Sequence, residues 1–467
     1  MRKEDNYIMI SSKAAFVIYG VHKDGLQDPM GTPFIDSRII KDSKEALKAG
    51  GVSLVEEDLV VATKAESRDV ICALAKRDEI DCLVLFSGTW VWAAHMIAAI
   101  REFVRTGKGI VIWTHPGSQG WRAVGGLVLK AALNEVGITH RFVYGAADSK
   151  KEVDKVVSYC QAAAVKNRIN MKTLMAFGGR GMGQTCGVAD PAQWMKVFGI
   201  DIDSRDTTEL IEIAGAVTED EINDVYKIIG NKFVEMPEKN EVTERSIRIY
   251  VALKKLLKKC DSDFYTIQSF PGIADDYTAT CFAQSMMLED GVPTSTLSDF
   301  NTAMTSILIT YLSNERTYYG DFQAINKENN EIKIIGDGCV PPSLANKHGA
   351  RFAEHGIPTE GKAGGLSIQL VCKEGKGVLA RLSRIDGKFR LVVVRCEVRE
   401  PSDDEIEARK NECGIPFWPH AFVTVLGDID TLLEHWDNEY ACLGYGEHLY
   451  QQIIDFGELT GIEVIAI

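Results

Sequence analysis

Several kinds of chemistry are set aside by what this chain lacks. Its eleven cysteines, scattered from Cys72 to Cys442, include no Cys-x-x-Cys pair, so neither a zinc ribbon nor thioredoxin-type redox chemistry is expected. An odd, dispersed set of thiols is no disulfide framework. It fits a reducing cytoplasm, with most cysteines acting as small buried apolar groups. No apolar run is long enough to span a bilayer. Residues 1–10 carry charges without a long apolar core, so no signal peptide is expected. Positive charge is short: the formal net charge is −14. That excludes nucleic acid or an anionic membrane as the main partner, since both are held through basic surfaces. There is no solenoid-type repeat and no low-complexity tract.

The 467 residues are too many for one ordinary core and suggest two or three domains. Hydrophobic residues at 45% and charged residues at 25% are ordinary for a globular protein. Apolar runs at 14–20, 52–63, 82–86 and 109–114 read as buried strands. They alternate with helical patterns at 67–77, where Ser67 has N-cap chemistry, and at 93–106, 123–136 and 151–166. Strands alternating with helices mean an open doubly wound sheet, whose ligands sit beyond the carboxyl ends of the strands. Thr89, Trp90, Trp92 and His115 lie there.

The pattern restarts near Asn170, with a strand at 173–177, the loop Gly178-Gly179-Arg180-Gly181-Met182-Gly183 and a helix at 191–198. That loop has neither Gly-x-Gly-x-x-Gly spacing nor a Walker lysine, so it is weak evidence for phosphate binding. Residues 218–259 read as helical and charged, 265–268 as a strand end and 276–289 as a helix. From residue 332 onward strands dominate, and Asp386-Gly387 is a strong hairpin turn signal. A helix at 446–460 closes the chain. The expected fold class is therefore α/β: two doubly wound parallel-sheet domains, 1–169 and 170–342, followed by a mainly antiparallel β domain, 343–467.

The stretch 289–322 organises the second domain. Glu289 and Asp290 read as loop-surface charges. Pro293 disfavours helix at Val292, and Asp299 can N-cap the helix that follows. Ile307, Leu308, Tyr311 and Leu312 repeat at helical spacing. Tyr318-Tyr319-Gly320-Asp321-Phe322 then reads as a short strand with Asp321 at its end, facing a cleft.

This stretch resembles the core of the L-fucose isomerase and L-arabinose isomerase superfamily. There a Glu-x-Asp motif precedes a helix and an Asp follows it. Asp299 matches the Asp of the first motif and Asp321 the later one, while the Glu position is Leu297, which can neither bind a metal nor accept a proton. Gly88-Thr89-Trp90, Phe177 to Gly183, Trp194 and Pro419-His420-Ala421-Phe422 are similar to other family segments in order and spacing. The resemblance implies a divalent metal, Mn²⁺, held by Asp321 and His420. It implies Asp321 as acid or base, with Asp299 in reach of the site. Sugar contacts are implied at Trp90, Met182, Gln268, Asn301 and Trp418. It implies a monosaccharide substrate and a cytoplasmic homo-oligomer, trimer or hexamer, with an intersubunit site.

Aldose–ketose interconversion through an enediol needs a base at the carbon losing its proton and an acid at the carbonyl oxygen, and a metal can polarise that carbonyl. The first expectation is such an isomerase. Leu297 leaves two others: related enediol chemistry (epimerisation or carbon–carbon cleavage), or a sugar-binding paralogue without catalysis. Asp321 capping a turn and His420 as a core histidine are the plain structural readings of those two residues.

Overall fold

The computed structural model describes residues 11–21, 34–55, 58–117, 121–313, 315–336, 338–354, 364–412 and 420–467. These divide into two compact units. Among the described residues, one comprises those from 11 to 168 together with 451–461, the other 169–450 with 462–467.

The smaller unit is built on six parallel strands: β1 (Ser12–Tyr19), β2 (Val52–Leu54), β3 (Leu59–Val61), β4 (Cys82–Ser87), β5 (Gly109–Thr114) and β6 (Arg141–Tyr144). Their order is β2-β1-β4-β5-β6, with β3 also on β1. Nearly every residue of β1, β4 and β5 is buried, because helices cover both faces of such a sheet and alternation has no solvent side to mark. Two separate apolar clusters, one per face, result. The apolar run at 52–63 forms two short strands. The helix Lys64–Ala75 begins earlier than the sequence reading: Thr63 is its N-cap, in a reciprocal capping box with Glu66, and Ser67 is buried inside the helix. Asp455 is buried in this unit, accepting from Ser158 Oγ (2.6 Å) and pairing with Arg141.

The larger unit carries a three-stranded parallel sheet, β8-β7-β9, formed by β7 (Thr173–Phe177), β8 (Asp201–Arg205) and β9 (Phe264–Ile267). The charged stretch 218–259 forms two helices, Glu219–Lys232 and Glu241–Lys259. The next long helix is Cys281–Glu289. Glu289 is no surface charge. It is 6% exposed, pairs with Lys232 (2.7 Å) and accepts from the Ser343 amide (3.1 Å). Asp290 accepts from the Tyr250 hydroxyl (2.6 Å) and pairs with Lys254.

The remaining strands are β10 (Tyr318–Asn326), β11 (Glu331–Ile335), β12 (Arg351–Glu354), β13 (Leu366–Gln369), β14 (Gly375–Ile385), β15 (Lys388–Arg399), β16 (His420–Val425), β17 (Tyr440–Tyr445) and β18 (Glu463–Ala466). β12 and β13 pair with each other. The others run β14-β17-β10-β11-β16-β15-β18, and β14 also pairs with β15. Six antiparallel strands thus close into a barrel, and β18 adds in parallel to the free part of β15. The sheet is therefore mixed, and β10 and β11 share it with strands more than forty residues later. The hairpin between β14 and β15 turns on Asp386 (φ 48°) and Gly387 (φ 74°), the two left-handed positions its sequence announces. Tyr318, Ile332, Ile334, Ala421, Val423 and Leu443 pack in the core. Alternation sends Tyr319 and Asp321 to the outer face, where Leu382 N and Cys442 Sγ donate to Thr305 Oγ1 and Thr302 O of the helix Phe300–Leu312.

Candidate active site

The turn into the helix Phe300–Leu312 is strained. Leu297 (φ 55°) and Ser298 (φ 54°) are consecutive left-handed residues, and neither is glycine. Leu297 N donates to Ser269 Oγ (3.3 Å) and Ser298 N to Ile267 O (3.0 Å), which ties the turn to the end of β9. Asp299 is the N-cap the sequence reading expects. Its Oδ1 accepts from Thr302 N (3.0 Å), and its Oδ2 from Thr302 Oγ1 (2.9 Å) and Arg381 Nη2 (2.9 Å). Arg381, from β14, also donates to Thr302 Oγ1 and, through Nε, to Asp437 O (3.0 Å). Both charged side chains are at most 2% exposed. Three donors thus converge on a carboxylate shut off from solvent, an arrangement suited to holding the turn.

The loop after β7 lies against this turn. A β-carbon on Gly181 would sit 2.4 Å from the Leu297 carbonyl oxygen, and one on Gly187 would sit 3.1 Å from Asp299 Cα. Gln268 Oε1 accepts from Gly179 N (2.8 Å), and Asn301 Nδ2 donates to Cys186 O (2.7 Å). Two residues expected to touch sugar therefore fasten the two ends of this loop. Met182, left-handed at φ 47° and 67% exposed, projects from it. Three buried acceptors here have no hydrogen-bond partner among the described residues: Ser298 Oγ, Asn301 Oδ1 and Gln184 Oε1. Such atoms mark a place where a ligand hydroxyl or a water is wanted.

From the same loop, Gln184 Nε2 donates to Glu439 Oε1 (2.5 Å), and Glu439 O accepts from Phe322 N (3.0 Å). Asp321 is therefore a neighbour. It lies in the middle of β10, half-buried, not at a strand end, because pairing continues to Asn326. Asp321 pairs with Tyr440 on one side and Ile335 on the other, and Ile335 pairs with His420. The backbone thus sets Tyr440, Asp321, Ile335 and His420 in one row across four strands. The Asp321 and His420 α-carbons are about 10 Å apart by strand spacing. Trp418 and the His420 side chain lie outside the described residues.

A carboxylate and a histidine in one row are donor types that a borderline divalent ion such as Mn²⁺ accepts. Leu297, 6% exposed, offers none, and among the described residues no three His, Cys, Asp or Glu side chains gather. By chemical type alone, the Asp321 carboxylate and an imidazole suit such an ion. Sequence reasoning missed Gln184, Glu439 and Arg381, whose partners lie between 56 and 255 residues away. Burial pushes the thiol of Cys442, beside Arg381, well above the usual range. Cys186 departs from the buried majority: it is exposed, and Asn438 Nδ2 donates to its Sγ (2.7 Å).

Trp90 belongs to the smaller unit, at the end of β4. Its ring lies 6.3 Å from that of Trp121, and its Nε1 is buried without a partner among the described residues. Among those residues no helix is long and apolar enough to cross a membrane.

No family model matches the chain. It is 23% identical over 321 residues to the sulfoquinovose isomerase of Clostridium sp. (strain MSTE9), covering 62% of this chain and 68% of that one. It is 21% identical over 349 residues to the L-arabinose isomerase of Bacillus subtilis (strain 168), covering 72% and 68%. The two alignments take in most of the chain, and both relatives are isomerases by name. The chain is thus similar, over most of its length, to two proteins named as sugar isomerases.

Proposed function

We propose that this protein interconverts an aldose and a ketose of a monosaccharide through an enediol, with Asp321 moving the proton. The row joining Asp321 to His420 carries this reading, because its backbone register brings to one level of one sheet two residues far apart in sequence. Homology to two sugar isomerases supports the same class. Asp321, half-buried, can release and retake a proton, whereas Asp299 is fully engaged. Ser298 Oγ, Asn301 Oδ1 and Gln184 Oε1 are free to accept sugar hydroxyls and orient the chain of the sugar. Leu297 forms an apolar wall that excludes water from the enediol. Mn²⁺ belongs to the same proposal: Asp321 and His420 would hold it, and when bound it polarises the sugar carbonyl. A homo-oligomer, trimer or hexamer, sharing its site between subunits is the assembly this reading entails.

The test is ketose formation from a panel of aldoses, with Mn²⁺ supplied, by wild type and Asp321→Asn. Turnover on at least one aldose is expected, with kcat lowered about 10²–10⁴-fold in the variant. No ketose from any aldose, or an unchanged kcat in the variant, overturns the proposal.

A further inference from the structure

The carboxyl end of the smaller unit's sheet contains a positive charge that has no anionic partner among the described residues. Between β1 and β4 the strand order reverses direction, the place where open α/β sheets take ligands. The loops there are tightly packed: a β-carbon on Gly20 would sit 2.8 Å from Thr89 N, and one on Gly125 would sit 2.9 Å from Thr89 O. After β5 the chain enters the 14-residue helix Arg122–Glu135. Its N-cap is Trp121, no side chain caps it among the described residues, and its first turn has no acidic residue. Free backbone N–H groups and the positive end of the helix dipole therefore remain unanswered.

Arg122, the first residue of that helix, adds a full charge to the same end. It is 7% exposed. Among the described residues its guanidinium makes one long bond, Nε to His115 O (3.4 Å), and has no carboxylate partner. Nη2 reaches back over Gly117, where a β-carbon would lie 2.2 Å from it. Burial lowers the Arg122 pKa, and the Tyr144 hydroxyl at the end of β6 is the neighbour acting against that. A buried cation without a counter-charge costs several kcal/mol, and a helix N-terminus is the least favourable place for it. An oxyanion against the helix N-terminus and the guanidinium removes both costs at once. Beside it stand the Trp90–Trp121 pair, the Trp90 Nε1 without a partner among the described residues and Trp121 39% exposed. Aromatic faces of this kind pack against sugar C–H surfaces.

We propose that Arg122 and the first turn of its helix form a subsite for a tetrahedral oxyanion, a phosphate ester or a sulfonate, carried by a sugar whose ring packs against Trp90 and Trp121. The subsite deepens the sugar reading only in naming the kind of sugar; its anion binding stands on the smaller unit alone.

The test uses the full-length protein and a binding readout independent of turnover: tryptophan fluorescence titrated with sodium sulfate and sodium phosphate, against sodium chloride at matched ionic strength. Wild type is expected to bind one or both oxyanions saturably. Arg122→Gln should weaken binding about tenfold or more, and Arg122→Lys, keeping the charge without the planar fork, by a smaller factor. No saturable response, or equal affinity in a folded Arg122→Gln, overturns the subsite. If Arg122→Gln does not fold, equal affinity in Arg122→Lys overturns it. A sugar phosphate and a sugar sulfonate of matched ring then separate the two sources by their affinities. Anion binding without isomerase activity would keep the subsite and sink the isomerase reading. Turnover of neutral aldoses with no Arg122-dependent anion binding would do the reverse.

Discussion

Arg381→Met takes the guanidinium away from Asp299 and leaves a fully buried carboxylate with two donors, both from Thr302. Removing one partner of a buried ion pair costs about 3–5 kcal/mol, because the remaining charge is uncompensated. With an m-value of about 3 kcal/mol/M in urea, the unfolding midpoint of the larger unit should fall by about 1–1.7 M. Hydrogen exchange of peptides covering 300–312, followed against urea, reads this unit without the other. A second variant separates charge from packing. Asp299→Ser combined with Arg381→Met keeps an oxygen to cap Thr302 N while burying no charge, so most of the lost stability should return. A midpoint shift below about 0.3 M in the single variant, or a double variant no better than the single, would refute the account of how the turn is held.

Gly181→Ala drives a β-carbon to within 2.4 Å of the Leu297 carbonyl oxygen, so the loop and the turn must part. Substrate binding should weaken about tenfold or more, whereas Gly183→Ala, at φ 70° with nothing within 4 Å, should cost only about 1 kcal/mol of stability; equal effects in ligand titrations would contradict this. Glu405 is held by the Arg399 guanidinium (2.8 Å) and then by the Ser402 amide (2.9 Å), so its carboxyl is lowered to about 2. A depressed acid stabilises the fold above its ordinary range and loses that contribution as pH falls through about 2. A carbon-13 carboxyl titration by NMR should place the Glu405 midpoint there, and a midpoint at the ordinary glutamate value of about 4.3 would refute the pairing.

Local chemistry was legible where a few consecutive residues suffice. Asp299 capping its helix and Asp386-Gly387 turning the hairpin both follow from short-range backbone needs. Thr63 was missed as a cap although Thr-x-x-Glu at 63–66 announces it, because Ser67 also has capping chemistry. The short strands β6 and β18 gave too little periodicity to be seen. Glu289 looked exposed because its partners, Lys232 and Ser343, are 57 and 54 residues distant.

By itself the sequence determined the class of the molecule. Fully apolar runs between helices dictate parallel strands covered on both faces, and later runs joined by a tight turn dictate antiparallel ones. It also determined the resemblance that the two isomerase relatives match. Only the tertiary structure decided what the polar residues do. Barrel closure puts Asp321 and His420 in one row, and Arg381 of β14 reaches Asp299 and draws it into a buried pair. Burial within the smaller unit leaves Arg122 without a counter-ion among the described residues. Each of these depends on which strands become neighbours, and pairing between distant strands is set by closing the core, which no local stretch encodes.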